Sequence, residues 1–251
     1  MQRAGAITIF HVSRRDGTAL FLHPFVKKGT MMDLANSVEL IGRYGMEPRV
    51  ESLTMLRNEL YRRIESDVRD WINERRFVPR FLIAAGAFLV VYLFLAAVIR
   101  DPLPVLDETL VGLAAGAVTF VLVGRRFEQS KVASQRRVSL RTKVDAVVFS
   151  EEPGVHAVEE LLHQLEHLEP EEDDYSDSAR AAARSLWTEH RELSTEIVSH
   201  LRMLVGEKPY RELSKQMKRG RVSAQMRQQT TDGTVSAGAV HLLSLLNKES
   251  P

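Results

Sequence analysis

The sequence contains no cysteine. This absence excludes disulfide scaffolds, thiolate zinc sites, iron–sulfur clusters and thiol catalysis. The chain also lacks a clear excess of charge, because 34 Lys and Arg residues stand against 33 Asp and Glu residues. The resulting net charge of +1 points to no particular class of partner.

Signatures of common enzymes are missing as well. The sequence has no phosphate-binding GxxxxGK[ST] or GxGxxG segment, no HExxH zinc motif and no GxSxG nucleophile motif. It does not open with a typical secretion signal, because the apolar run at residues 4–10 is short and Arg14 and Arg15 follow it. We therefore expect neither an enzyme nor a bound cofactor.

Two long stretches are nearly free of charge and predict membrane helices. Residues 81–99 form an uncharged run whose helical length is roughly 28 Å, close to the ~30 Å hydrocarbon core of a bilayer. Residues 105–124 form the second run, with Asp107 and Glu108 in its first turn. The short segment between the runs contains Pro102 and Pro104, which favour a tight turn. The sequence thus predicts a two-helix transmembrane hairpin over residues 81–124.

The charges that flank this hairpin predict its orientation. Residues 57–80 contain seven Arg, and residues 125–143 contain seven Lys or Arg. The connecting turn contains only Arg100. Because positively charged flanks stay on the cytoplasmic side during insertion, we expect both termini in the cytoplasm, with a bacterial inner membrane as the preferred location.

The first cytoplasmic region, residues 1–80, is predicted to combine a small β element with helices. Residues 7–12 and 19–26 predict a β-hairpin around the turn signal Asp16-Gly17. Residues 31–43 predict a short helix. Residues 50–76 predict a long amphipathic helix, because apolar residues recur at spacings of three and four: Leu53, Leu56, Leu60, Ile64, Val68 and Trp71.

The second cytoplasmic region, residues 125–251, is predicted to be mostly helical. Its basic start, residues 125–143, and the 50–76 helix are expected to extend the membrane helices as an antiparallel, coiled-coil-like pair, with their apolar stripes buried against each other or against a second protomer. A short strand is predicted at residues 144–149, and helices at 155–168, 177–205, 210–227 and 235–246. The predicted fold is therefore mainly α, a transmembrane hairpin with helical cytoplasmic regions on both sides and a small N-terminal β-hairpin.

An acidic segment, residues 144–177, holds 12 Asp or Glu residues and no Lys or Arg. Two interpretations follow from this charge pattern. The segment folds against the chain's own basic stretches, residues 125–143 or 210–227, or it docks a basic partner.

Gly112 and Gly116 form a GxxxG pattern in the second membrane helix. Glycine lets two helix backbones approach closely in lipid, so this face predicts helix packing. The pattern fits a dimer interface and packing within the hairpin equally well. Asp107 and Glu108, at the mouth of the same helix, would form an ion-attracting ring if several copies assembled. The alternatives are that they favour a helix N-terminus through its partial positive charge, pair with Arg100 or lie among lipid headgroups.

Two further sets of residues are candidates for ligands. His156, His163 and His167 share one face of a predicted helix and make a weak candidate for a metal patch, with a solvated polar face as the alternative. The basic residues after the second membrane helix are candidates for binding anionic lipid: Arg125, Arg126, Lys131, Arg136 and Arg137.

These observations predict an integral membrane protein that acts as a non-catalytic scaffold, regulatory or assembly factor and presents helical cytoplasmic domains at the membrane. Its expected partners are membrane lipids, further copies of itself and an unidentified protein, with no nucleic acid. The alternative hypothesis is an oligomeric cation channel or transporter subunit with Asp107 and Glu108 at the pore mouth.

Overall fold

The computed structural model describes residues 6–36, 39–98, 105–166, 177–218 and 237–249. These residues form a mainly helical protein with a small strand region that begins near the N-terminus. The chain divides into two compact units. The sheet unit comprises Met1–Leu60 and Lys143–Pro251, and the helical unit comprises Tyr61–Thr142.

The sheet unit contains four strands in the order β2-β1-β3-β4. They are β1 (Ala6–Ser13), β2 (Ala19–Leu22), β3 (Glu39–Tyr44) and β4 (Val148–Glu151). The predicted β-hairpin is present, since β1 and β2 pair antiparallel. Gly17 has a φ of 78° at the turn, and its N–H donates to the Arg14 carbonyl at 3.0 Å. Strands β1, β3 and β4 run parallel to one another.

Helices flank these strands along the chain. In order they are α1 (Met31–Asn36), α2 (Val50–Arg75), α3 (Phe77–Val98), α4 (Val105–Glu128), α5 (Lys131–Asp145), α6 (Pro153–Leu165), α7 (Asp177–Glu189), α8 (Arg191–Val205), α9 (Glu207–Lys218) and α10 (Ala237–Glu249). Residues 61–142 therefore form an insertion between two paired strands, β3 and β4. Residues 1–80 and 125–251 are predicted from the sequence as separate regions, whereas most of both belong to one unit in the structure.

The main core of the sheet unit lies between one face of the β1–β2 hairpin and helices α6, α7, α8 and α10. Phe10 is fully buried there, and Leu161, Leu162 and Ile197 pack into the same cluster. Ile9, the next residue on β1, points to the opposite face, because side chains alternate along a strand. Ile9 lines a small cavity there together with Leu53, Leu56, Leu60 and Phe149.

The structure corrects four predicted elements. The helix predicted at residues 31–43 ends at Asn36, and residues 39–44 form β3, because backbone pairing with both β1 and β4 outweighs the local pattern. The helix predicted at 177–205 is broken at His190, whose φ of −128° and ψ of 50° are not helical. This break lets α7 pack on α6 while α8 packs on β2.

The strand predicted at 144–149 begins only at Val148, since α5 extends to Asp145. The helix predicted at 210–227 begins earlier, at Glu207, and its residues beyond 218 lie outside the described residues.

In the helical unit, α3 and α4 are each long and apolar enough to cross a membrane. Two contacts show that these helices pack antiparallel. Phe88 lies against the backbone at Gly112, and Arg80 reaches Phe120. The part of α2 beyond residue 60 lies along α5 in the same antiparallel sense. Glu65 binds Arg137 and Arg141 there. The apolar stripe predicted for α2 is largely buried, with Ile64 and Val68 at 0% exposure.

Candidate functional site

The small-residue face of α4 packs against α3 of the same chain. A methyl group added at Gly112 would lie 3.0 Å from the Phe88 ring, and one added at Gly116 would lie 3.3 Å from the Ala84 carbonyl oxygen. Backbones this close gain dispersion contacts that a larger side chain would prevent. Gly112 and Gly116 therefore serve the contact between α3 and α4 in this structure.

A charged side chain also sits in the contact between α3 and α4. The Arg80 guanidinium lies 3.7 Å from the centre of the Phe120 ring, and its Nε donates to the Phe120 carbonyl oxygen at 2.6 Å. Its Nη1 donates to Asn73 Oδ1 at 3.2 Å. Room for this group exists because residue 124 is glycine, whose missing Cβ would lie 2.4 Å from Arg80 Cζ.

Replacing Gly124 with alanine is therefore expected to push Arg80 out of its site. Alanine gains about 1 kcal/mol of helix propensity over glycine, but overpacking costs about 1–3 kcal/mol, so we expect net destabilisation of the α3–α4 pair. Gly86→Ala is the matched control, because nothing lies within 4 Å of its added methyl group. Thermal unfolding in detergent should show a lower midpoint for Gly124→Ala than for Gly86→Ala. Equal midpoints would show that Arg80 accommodates the methyl group without loss.

Glu108 is buried at the start of α4, with 4% exposure, and its Oε1 has no hydrogen-bond partner within the described part of the chain. An ion-attracting ring requires carboxylates that face water, which this position of Glu108 does not provide. The side chain of Asp107 lies outside the described residues. The structure thus places one of the two predicted acids in the protein interior.

The predicted lipid-binding residues fall into three groups. Arg137 is engaged within the protein, donating to Glu65 Oε2 at 2.7 Å and to the Glu128 carbonyl at 2.9 Å. Arg125, Arg126 and Lys131 are exposed and form no ion pair within the part of the chain that the structure describes. Arg136 is different again, since its guanidinium lies 5.5 Å from the centre of the Trp71 ring.

An arginine and aromatic cluster surrounds Trp71, and sequence reasoning missed it. Arg75 also lies 5.5 Å from the Trp71 ring centre, and Arg76 lies 5.7 Å from that of Phe127. The spacing of apolar residues predicts Trp71 only as a member of the apolar stripe of α2. A signal was present in the sequence, because Trp and Arg beside a membrane helix are typical of the headgroup layer.

The histidines of α6 that the sequence offered as a metal patch or a solvated face differ in their surroundings. His163 Nε2 lies 2.8 Å from the Ser13 carbonyl oxygen at the end of β1. His156 is exposed and lies 3.8 Å from Glu159 and 3.7 Å from Glu160. His167 lies outside the described residues. Among residues that the structure describes, no group of three or more His, Asp or Glu side chains is placed to hold a metal ion.

Glu159 is a buried carboxylate on the same helix. Its Oε1 accepts a hydrogen bond from the Ser13 backbone N–H at 2.7 Å. Burial raises the pKa of Glu159, while the backbone N–H groups of Ser13 and Met46 act in the opposite direction. Because Glu159 and His163 both bind the backbone at Ser13, we interpret the pair as a structural connection between α6 and β1.

Arginines near the N-terminus neutralise part of the acidic segment. Ion pairs within the sheet unit join Arg57 to Asp145 at 3.5 Å, Arg43 to Glu152 at 2.8 Å and Arg14 to Glu166 at 3.0 Å. The sequence instead predicts that the basic partners of this segment lie in residues 125–143 or 210–227. Residues 167–176 of the segment lie outside the described residues.

Comparison of the chain with protein-family models, with curated proteins and with solved structures found no match to any of them.

Proposed function

We propose that the protein is an integral membrane protein that holds the sheet unit at the cytoplasmic face of a membrane and acts there as a non-catalytic scaffold, regulatory or assembly factor. The apolar surface of α3 and α4 supports this proposal most directly. Large side chains are exposed along both helices, including Leu82, Val90, Leu93, Phe94, Leu110, Leu113, Val118 and Leu122. A contiguous apolar surface of this kind suits lipid and not water.

Flanking charge supports the cytoplasmic assignment and a bacterial inner membrane. The ends of α3 and α4 that adjoin α2 and α5 carry the arginine-rich flanks, which stay on the cytoplasmic side during insertion. The proposal therefore places both termini, which belong to the sheet unit, on the cytoplasmic side.

The chain connectivity fits the proposed scaffold. The chain passes between the two units twice, within helix α2 after residue 60 and within helix α5 after residue 142. The membrane helices are thus an insertion in the sheet unit and not a tether at one end of it. An anchor built into the fold suits a protein that presents a surface to partners, which we expect to include a second protein and further copies of this chain.

The absence of native cysteine allows a direct test with single-cysteine variants. Lys28→Cys places a thiol on the exposed surface of the sheet unit, and Leu103→Cys places one in the segment that joins α3 to α4. In intact bacterial cells, we expect an impermeant maleimide to label only the residue 103 variant. In inverted vesicles, we expect it to label only the residue 28 variant. Labelling of the residue 28 variant in intact cells would overturn the orientation.

A photo-crosslinker attached to the same two thiols tests the scaffold assignment. From residue 28 we expect one protein to be captured in stoichiometric amount, while the residue 103 variant serves as the matched control that captures none. Equal or absent capture from both positions would contradict the scaffold function.

The channel alternative instead requires cation flux in liposomes that Asp107→Ala and Glu108→Ala abolish.

A further inference from the structure

We propose that a cavity beside Trp71 in the helical unit binds the phosphate group of an anionic phospholipid. Two adjoining cavities of ≈ 240 Å³ and ≈ 460 Å³ share Trp71, Arg75 and Val132 in their walls. The smaller one is completed by Ile72, Arg76, Phe127 and Ser130, and the larger one by Gln135, Arg136 and Ser139. The proposal rests on the membrane placement argued above.

The charges around this cavity are not neutralised. Arg75, Arg76 and Arg136 pack over aromatic rings, and none of them forms an ion pair with a residue that the structure describes. Arg137 and Arg141 provide a contrast, since both bind Glu65, at 2.7 Å and 2.8 Å. Three uncompensated guanidinium groups around one concavity favour an anion.

Arg136 supplies the most specific evidence. Its Nε atom is buried and has no hydrogen-bond partner among the residues that the structure describes. A buried donor left without an acceptor is unfavourable, so an acceptor within the cavity would stabilise the protein. A phosphate in the cavity would bind the guanidinium group of Arg136 as a whole, because this planar group binds phosphate through paired N–H groups.

The position along the chain argues for a lipid phosphate over a free one. Arg75 and Arg76 directly precede the apolar helix α3, and Phe127 and Ser130 lie where α4 ends. The phosphates of a bilayer lie at this level, just outside the hydrocarbon core. Val132 in the cavity wall is 53% exposed, and Phe77 and Val78 at the start of α3 are 54% and 62% exposed. The acyl chains of a lipid would find this apolar surface beside the phosphate site, whereas a free phosphate would make no use of it.

Tryptophan fluorescence offers a direct measurement, because the chain has only two Trp residues. A Trp187→Phe background leaves Trp71 as the single reporter. The full-length protein in a neutral detergent is titrated with short-chain phosphatidylglycerol, and in parallel with phosphatidylcholine of the same chain length and with inorganic phosphate. We expect saturable quenching or a spectral shift with phosphatidylglycerol, and at least tenfold weaker responses with the other two probes.

Arg136, which forms no ion pair with a described residue, and Arg141, which is paired with Glu65, both lie on α5. Variants of these two residues test whether the cavity is the binding site. Arg136→Gln is expected to weaken phosphatidylglycerol binding about 10- to 100-fold, the range for loss of a charged hydrogen bond. Arg136→Lys should give an intermediate loss, because it keeps the charge without the fork of donors. Arg141→Gln removes the same charge from a residue paired with Glu65 and should bind as the parent does. Circular dichroism confirms that each variant is folded.

Several outcomes would overturn the proposal. Equal affinity of the Arg136→Gln and Arg141→Gln variants would show that the cavity is not the site. Equal responses to phosphatidylcholine would show unspecific lipid contact, and an equal response to inorganic phosphate would make the site one for free anions. Because these titrations are done in detergent, they are independent of the cysteine labelling that tests membrane orientation.

Discussion

Replacing Gly45 with alanine is expected to lower the free energy of unfolding of the sheet unit by about 3 kcal/mol, the upper part of the range for overpacking. Gly45 follows β3 and lies against the first turn of α6. A methyl group there would lie 2.5 Å from the backbone N and Cα of His156 and 2.5 Å from Glu159 Oε2. Because backbone atoms cannot rotate away, α6 would have to shift as a whole. Such a shift would disturb the core positions Val155 and Val158, which are fully buried.

The measurement is chemical denaturation followed by Trp187 fluorescence in a Trp71→Phe background, so that the signal comes from the sheet unit. Gly42→Ala is a graded comparison. Its methyl group would lie 2.4 Å from the Phe149 ring, and a ring at the end of a side chain moves more easily than a helix backbone. We expect Gly45→Ala to cost more than Gly42→Ala. An unchanged midpoint for Gly45→Ala would contradict the close approach of β3 and α6.

Lowering the pH from 7 to 4 is expected to destabilise the sheet unit by about 3 kcal/mol through His200 alone. His200 is 5% exposed, and none of the described residues forms a hydrogen bond with its Nδ1. Burial, with a smaller contribution from the charge of His23, lowers the pKa of His200 from 6.5 to about 4. The charged imidazolium is therefore unfavourable in the fold.

The direction of the effect follows from which state binds the proton. Between pH 6.5 and pH 4, the unfolded chain protonates His200 while the folded protein leaves it neutral. The contribution of neutral His200 to the free energy of unfolding is therefore fully present above pH 6.5 and is lost as the pH falls toward 4. The lowered pKa of His11 acts in the same direction, while the raised pKa of Glu159 acts in the opposite one.

A variant without this titration isolates the contribution of His200. His200→Leu keeps an apolar side chain against Phe10, whose ring centre lies 5.7 Å from that of His200. We expect the parent protein to lose about 3 kcal/mol more than this variant between pH 7 and pH 4. Denaturation curves at both pH values, read from Trp187, give the difference. Parallel losses in the two proteins would show that His200 does not stay neutral in the fold.

Local sequence patterns predicted the long helices well. The bounds of α2, Val50–Arg75, differ by one residue from the predicted 50–76, because a stripe of apolar residues at helical spacing depends only on neighbouring turns. The two apolar runs likewise predicted α3 and α4, since length and absence of charge are properties of a contiguous segment. The apolar residues by which α6 packs into the main core, among them Val158, Leu161 and Leu165, also recur at helical spacing in the sequence.

The candidate sites were only partly predictable. Arg136 was identified as a basic residue near lipid, but its position beside Trp71 depends on how α2 and α5 lie together. The partner of His163 is the backbone at Ser13, 150 residues away, which no pattern within α6 indicates. Glu159 was not singled out, because only its burial against β1 distinguishes it from the exposed Glu160 beside it.

The sequence by itself determined which segments are apolar, which are amphipathic and where the basic flanks lie, because each of these is a sum over adjacent residues. Only the tertiary structure decided the rest. It made residues 39–44 a strand, since their backbone groups bind those of β1 and β4. It broke the predicted 177–205 helix at His190, and it joined residues 1–60 to residues 143–251 around the inserted helices. These outcomes depend on hydrogen bonds and packing between residues far apart in the chain, whose combined free energy exceeds the small differences in local propensity.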